Sequence, residues 1–428
     1  MSISTTDAQN IWHPFTQSYG AALPIPIVSA KGLYLYKENG DKVLDAVSSW
    51  WTSIHGHCHP YIAQKIAEQA STLDHVIFAG FTHPKAVELS QKILKHLPSA
   101  YSKVFFSDDG STAVEVGIKM ALQYWSNIGK PKRKIIAFKE SYHGDTFGAM
   151  SVGDRNEFTA PFHSMLFEVH FIQAPFKGFE EEALQQLSAT IDNETAAFIF
   201  EPLLMGTAGM KMYSAEVLDK MISICESKNV LTIADEVLTG FYRTGEFFAI
   251  HQLKNIPSIV CLSKGITGGT MALGATVCES FIYDAFVSED KFKTFFHGHS
   301  YTANAIACAA ACANFELLEK EECKLKIKNI CDWQLQWTSE MKKNKVLKEA
   351  RSIGTVVALE LSTSNESSYF EPIRDKIYNH FIGRNILLRP LGNVIYVLPP
   401  YCIEKEELDY LYNEITLFLN DIHEENRK

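Results

Sequence analysis

The stretch Val230-Leu231-Thr232-Ile233-Ala234-Asp235-Glu236-Val237 decides how this chain is read. Its first five residues form a continuous apolar run without alternation, the pattern of a strand buried on both faces of a parallel sheet under helices. The run stops on an aspartate. Two others stop in the same way: Ala196–Phe200 on Glu201, and Ser258–Leu262, through Ser263, on Lys264. Glu201, Asp235 and Lys264 are 34 and then 29 residues apart, intervals that suit one strand and one helix each. The sequence thus predicts an α/β fold with a mostly parallel sheet. Ligands of such sheets gather beyond the carboxyl ends of the strands, so all three side chains converge on one rim. A buried acid and a buried amine are costly there unless paired or functional; an ion pair or a helix cap is the plain alternative.

Outward from this core the pattern repeats. Val104–Ser107 precedes a helical run, Ser111–Trp125, with Ala113, Val116, Gly117, Met120, Ala121 and Tyr124 at helical spacing. Lys134–Phe138 is a further strand and Ser214–Ser227 a further helix. Asp109-Gly110-Ser111 opens the first helix, where free N–H groups suit an anion such as phosphate, although Gly-Ser is also an ordinary helix start. After about residue 305 the character changes. Ala305–Phe315 reads as an apolar helix and Glu316–Lys345, dense in mixed charge, as a solvated one. Residues 353–361 and 394–398 read as strands, Lys405–His423 as an amphipathic helix, and Gly32–Tyr36 with Val43–Asp45 as a hairpin. The expected organisation is a large α/β domain over residues 51–315, flanked by a small α+β domain built from both chain ends, 1–50 and 316–428.

Composition removes several classes of function. The 428 residues are 46% hydrophobic, enough for a large core, and 40 Lys plus Arg against 50 Asp plus Glu give a net charge of −10. That balance opposes nucleic-acid and anionic-membrane partners. No apolar run approaches the roughly 20 residues that span a bilayer, and Met1–Phe15 lacks a signal-peptide pattern. Nine cysteines without a CxxC pair suit reduced thiols and a cytoplasmic location, with Cys308 and Cys312 packing as small hydrophobes. His55, His57, Cys58 and His59, with His297 and His299, could be drawn as a metal site. Five neighbouring residues of one loop seldom supply convergent ligands and orienting partners, so no metal is expected. Walker A, HExxH and G-x-S-x-G motifs are absent from the sequence.

Taken in order, Tyr142-His143-Gly144-Asp145, Phe200-Glu201-Pro202, Ile233-Ala234-Asp235-Glu236-Val237, Thr239-Gly240-Phe241, Arg243-Thr244-Gly245, Leu262-Ser263-Lys264-Gly265 and Thr267-Gly268-Gly269 resemble the class III aminotransferases. That resemblance implies the fold-type I architecture of pyridoxal phosphate (PLP) enzymes. It gives Lys264 as the amine that bonds the cofactor's aldehyde and then moves a proton. Asp235 becomes the partner of the pyridine nitrogen, and Tyr142 the aromatic plane over the ring. Gly110 and Ser111 become the phosphate site, completed by Ser300 of a neighbouring subunit, which implies a homodimer with shared active sites.

Further segments look like one branch of that family, the diaminopelargonic acid synthases. They are Trp12-His13-Pro14-Phe15-Thr16, Ser48-Ser49-Trp50-Trp51, Ile54-His55-Gly56, Ala121-Leu122-Gln123-Tyr124-Trp125, Tyr142–Ser151 and Arg389-Pro390-Leu391-Gly392. The branch implies S-adenosylmethionine as amino donor and 8-amino-7-oxononanoate as acceptor. Trp50 and Trp51 suit a wall for these substrates, or else a core aromatic pair. Arg389 suits the acceptor's carboxylate, or else a surface ion pair. Arg243 divides evenly between substrate site and structural pair. Two departures bear on the donor: Phe15 stands where the branch carries Tyr, and Gly298-His299-Ser300 replaces Gly-Pro-Thr, a form associated with relatives that take lysine. Other ω-amino-acid transaminases are the runner-up reading.

Overall fold

The computed structural model describes residues 2–363 and 371–425. Its centre is a seven-stranded sheet. Across it run Tyr101–Ser107, Gly274–Glu279, Ile259–Leu262, Leu231–Asp235, Thr195–Phe200, Lys134–Phe138 and His170–Ile172. All are parallel except Gly274–Glu279, which lies antiparallel to both neighbours. The continuous apolar runs have the cause expected of them. Ile199, Ile233 and Ile259 pair across three strands and pack on one face against Ala113, Val116 and Ala121 of helix Gly110–Asn127. Phe200, Ala234 and Val260 form the next row, on the opposite face with Leu218, Met221 and Ile222 of helix Ala215–Ser227. Each of the larger side chains so buried, Val, Ile, Leu, Met and Phe, contributes about 1.5–3 kcal/mol.

The antiparallel strand escaped the sequence reading. Between Leu262 and Gly274 the chain has one four-residue 3-10 turn, Lys264–Thr267. A parallel return needs a crossover of a dozen or more residues, so this strand must come back antiparallel. Two other readings need correction. Residues 353–361 are the end of one strand, Leu347–Ile353, and all of a second, Val356–Leu361, paired in a hairpin turned at Gly354-Thr355. Glu316–Lys345 is not one solvated helix. The apolar helix runs on to Leu318, the backbone is extended at Lys320, and Glu321–Met341 buries Ile327, Ile330, Gln334 and Trp337 along one face.

Both chain ends meet in a second sheet. The hairpin strands Ile27–Lys31, Tyr34–Lys37 and Lys42–Asp45 take Ile386–Leu387 as a fourth, parallel to Lys42–Asp45. Leu347–Ile353, Val356–Leu361 and Val394–Val397 make a three-stranded antiparallel sheet. Among the described residues no helix is long and apolar enough to cross a membrane.

Candidate active site

Asp235 is the last residue of its strand and is buried. Its Oδ1 accepts from the Val237 amide at 3.1 Å, and its Oδ2 lies 2.7 Å from His143 Nδ1. An ionised carboxylate only accepts, so the proton of this contact sits on Nδ1. The acid still has lone pairs to offer, because a carboxylate carries about four acceptor sites. His143 is itself buried, and its Nε2 has no protein partner among the described residues.

Lys264 stands beyond the next strand and opens the 3-10 turn with φ at +44°. A left-handed non-glycine residue costs on the order of 1–3 kcal/mol, and such residues cluster at functional sites. Its Nζ lies 4.6 Å from the centroid of the Trp51 ring. No carboxylate pairs with it among the described residues. Burial pulls the amine down to about 8; Asp235 and Glu201 oppose that shift and Arg243 adds to it. Glu201, also buried, is pushed up to about 7 chiefly by desolvation. Its oxygens accept from the amides of Tyr142 (3.1 Å) and Gly206 (3.0 Å). One rim thus holds an oriented acid and an amine that loses its proton near neutral pH, a combination suited to capturing carbonyls and moving protons.

Beside it stands the helix Gly110–Asn127, whose N-terminus is closed by a capping box between Asp109 and Thr112. A Cβ on Gly110 would meet Val237 Cγ1 at 2.7 Å, so this glycine lets the helix N-terminus approach the Asp235 loop. Ser111 Oγ accepts from the Asp145 amide at 3.2 Å, which brings the loop carrying Tyr142 to the same helix end. Gly110, Ser111, Tyr142, Asp235, Lys264 and Glu201 are therefore assembled together. Burial pushes the Tyr142 hydroxyl well above its ordinary range, so it stays protonated.

A second group forms an open wall. Phe15 and Trp50 are exposed, with ring centroids 5.6 Å apart, and the Arg389 guanidinium lies 4.8 Å from the centre of the Trp50 ring. Trp51 turns inward instead: it is buried and donates from Nε1 to the Tyr396 hydroxyl at 3.0 Å. Ser48, Ser49 and Trp51 all have positive φ, which separates the two indoles. The buried Asp45 holds this loop, accepting from the amides of Val47 (3.1 Å) and Ser49 (2.7 Å) with His57 Nε2 at 2.8 Å. Arg243 is fully buried, donates to the Pro399 carbonyl at 2.9 Å and lies 5.1 Å from the Tyr401 ring centre. Gly298 and Ser300 are exposed and form no hydrogen bond to the other site residues among the described residues. In their segment His299 Nδ1 is 3.2 Å from Oδ2 of Asp108, just before the helix that carries Ser111.

Of the histidines drawn as a metal site, His55 bonds Asn314, His57 bonds Asp45 and His297 bonds Lys119, while the His59 ring lies 5.8 Å from that of His55. Sequence reasoning missed His143 and Asp45 as organisers of the site. His143 lay inside a quoted motif, but its partner is 92 residues away. Asp45 closed a predicted strand and gave no signal of its own.

Comparison with known proteins fits this geometry. The family profile for class-III aminotransferases matches residues 16–419, and the chain belongs to that family. It is a pyridoxal-phosphate-dependent transaminase. The chain is 43% identical to the adenosylmethionine-8-amino-7-oxononanoate aminotransferase of Synechococcus elongatus over 422 residues, 96% of this chain and 99% of the relative. An enzyme of the same name from Geobacter sulfurreducens is 36% identical, covering 95% of this chain and 94% of its own. The crystal structure of its namesake from Methanocaldococcus jannaschii superposes with a TM-score of 0.92 at 34% identity, covering 98% of each chain. An amine transaminase from an uncultivated Pseudomonas species, solved in a PLP-bound form, gives a TM-score of 0.88 at 28% identity, covering 95% of this chain and 97% of its own. The residues fit that cofactor: an acid for a ring nitrogen, an amine of lowered basicity for an aldehyde, and a helix N-terminus with a hydroxyl for a phosphate.

Proposed function

We propose that this protein transfers an amino group from S-adenosylmethionine to 8-amino-7-oxononanoate, giving 7,8-diaminononanoate in biotin synthesis. The observation that carries the reading is the meeting of Phe15, Trp50 and Arg389, from distant parts of the chain, in one aromatic wall with a guanidinium. The full-length relatives of that name support it.

Bound pyridoxal phosphate supplies an aldehyde and an electron-withdrawing ring. Lys264 Nζ is the amine that would hold the aldehyde and serve as the base for proton movement. Asp235 keeps the ring nitrogen protonated, and His143 holds Asp235 in line. Tyr142 covers the ring, while Gly110 and Ser111 take the phosphate together with Ser300 of a second copy. Arg389 takes the acceptor's carboxylate, Trp50 and Trp51 line its aliphatic chain, and Phe15 and Gly298 face the donor.

A homodimer belongs to this assignment, because it takes the second phosphate hydroxyl from the Ser300 of another copy. The neighbouring Phe292, Phe296 and Tyr301 are large, apolar and exposed, as a partner surface requires. Mixing inactive Lys264→Ala and Ser300→Ala subunits should regenerate about a quarter of the intact sites by exchange. No recovery after verified exchange would remove Ser300 from the shared site. We assign residues 51–315 to the cofactor domain, and 1–50 with 316–428 to the small one, in a cytoplasmic enzyme.

Lysine as donor is the second reading, favoured by the missing hydroxyl at Phe15 and by His299 in the Gly298–Ser300 segment. Incubating the PLP-loaded enzyme separately with each amine, and following its visible absorbance, decides between them. Bleaching by S-adenosylmethionine alone supports the first reading. Indifference to both donors would sink the two together.

A further inference from the structure

Lys264 is held from behind by a side chain that takes no part in the chemistry described above. The 3-10 turn it opens is short, and a short turn leaves carbonyls without helical partners. Asn314, near the end of helix Ala305–Leu318, adds a donor to two carbonyls of the turn, of which that of Gly265 also accepts from the Gly268 amide at 3.0 Å. Its Nδ2 donates to the Gly265 carbonyl at 2.9 Å and to the Ile266 carbonyl at 3.0 Å, the two that directly follow Lys264. Asn314 is fully buried on a helix otherwise composed of Ala, Cys, Ile and Phe from Ala305 to Phe315. An amide in such surroundings is costly unless it is bonded.

The opposite end of the amide is occupied too. Asn314 Oδ1 lies 2.9 Å from His55 Nε2. Because Nδ2 faces two carbonyls, Oδ1 must be the acceptor and His55 Nε2 the donor. Burial drives the His55 imidazole down to about 4, with His59 adding to the shift, so the ring donates as a neutral group throughout the working pH range. His55 lies four residues beyond Trp51, the ring that faces Lys264 Nζ. Helix, wall segment and lysine turn are thus tied through one carboxamide.

We propose that Asn314 is a positioning residue for Lys264, with His55 fixing the direction of its amide. The assignment rests on Lys264 being the cofactor lysine. The turn carries its strained residue only while the Ile266 carbonyl is held and the Gly265 carbonyl keeps Asn314 as a second donor beside the Gly268 amide. Released, the turn relaxes, and Nζ swings away from Trp51, Asp235, Glu201 and Arg243, the groups that set its environment.

The test uses full-length enzyme freed of cofactor and four variants: Asn314→Leu, Asn314→Asp, His55→Phe and His55→Gln. Trace acetylation across pH, read by peptide mass spectrometry with the exposed Lys343 as internal reference, gives the reactivity of Lys264. In wild type the midpoint should fall near 8. In the Asn314 variants and His55→Phe it should rise by about one unit, toward a hydrated amine. The rate at which added pyridoxal phosphate is taken up on Lys264 should fall about tenfold at pH 7.5. His55→Gln, which keeps an N–H donor, should restore the wild-type midpoint. A purely structural role would lower the melting temperature and leave the Lys264 midpoint in place, and that result overturns the proposal. If the Asn314 variants do not fold, the His55 pair decides in the same way. Borohydride fixation and peptide mapping of wild type separate the two failures. Label on another lysine refutes the cofactor assignment, whereas label on Lys264 with unmoved variants refutes only the positioning role.

Discussion

The floor of the site and its outer wall are built on different terms. Asp235, His143 and Glu201 are packed among strand ends and oriented by bonds to the chain's own backbone or side chains, and Lys264 beside them by its turn and the Trp51 ring. Phe15 and Trp50 are exposed and Arg389 is half-buried beside them, held by ring contacts and, at Trp50, by a strained turn that Asp45 anchors. The floor is prepared for one fixed cofactor. The wall can change its substrates by changing a loop residue, which is how members of one family come to differ in substrate on a common scaffold.

The largest break in this comparison comes from the floor. Lys264→Ala should remove turnover by at least about four orders of magnitude while phosphate contacts persist, measured by single-turnover kinetics with pyridoxal phosphate added. A variant with wild-type turnover would reverse the reading of both halves. Next is the wall. Arg389→Ala should raise KM for the carboxylate-bearing acceptor roughly a hundredfold with little change in kcat, since it removes binding rather than chemistry. An equal fall in kcat would move Arg389 into the floor's class.

Glu201→Gln separates burial from charge. The carboxyl has an ordinary value of 4.5 and stands at about 7 in the folded protein. It is therefore protonated more readily folded than unfolded. Its effect is to lower stability as pH rises from about 4.5 to about 7, with the loss complete above that window. The variant should make this part of the cofactor-free enzyme's melting profile less steep, read by calorimetry between pH 4.5 and 8, the remaining fall coming from Glu236 and Glu279, which burial also raises to about 7. A profile still falling with the wild-type slope would contradict the assignment. The smallest effect is expected at Phe15→Tyr. A restored hydroxyl should lower KM for S-adenosylmethionine by about tenfold or less, the value of one hydrogen bond. A greater gain with lysine would favour the second donor.

How far the sequence could be read follows the same division. Asp235 and Lys264 were legible because an acid or an amine at the end of an apolar run violates local expectation, and each lies next to its own strand. Trp50, Trp51 and Arg389 were legible only through resemblance, because the wall joins segments more than 300 residues apart. His143, Asp45 and Asn314 act through partners 92, 12 and 49 residues away, and no local pattern marks such pairs. The helix Glu321–Met341 was misread for another reason: its dense charge at the start masks the buried row from Ile327 to Trp337.

The antiparallel strand has a consequence for how the molecule is made. Among the described residues Tyr101–Ser107, which feeds the helix carrying Ser111, finds its ladder partner only in Gly274–Glu279. A ribosome must add roughly 170 residues between them, about 10–30 s at ordinary elongation rates of about 5–20 residues per second. Through that interval the strand waits with an unpaired edge, in a chain whose later strands are almost wholly apolar. Nascent chains halted before residue 274 should therefore engage chaperones, and those carried past residue 279 should release them.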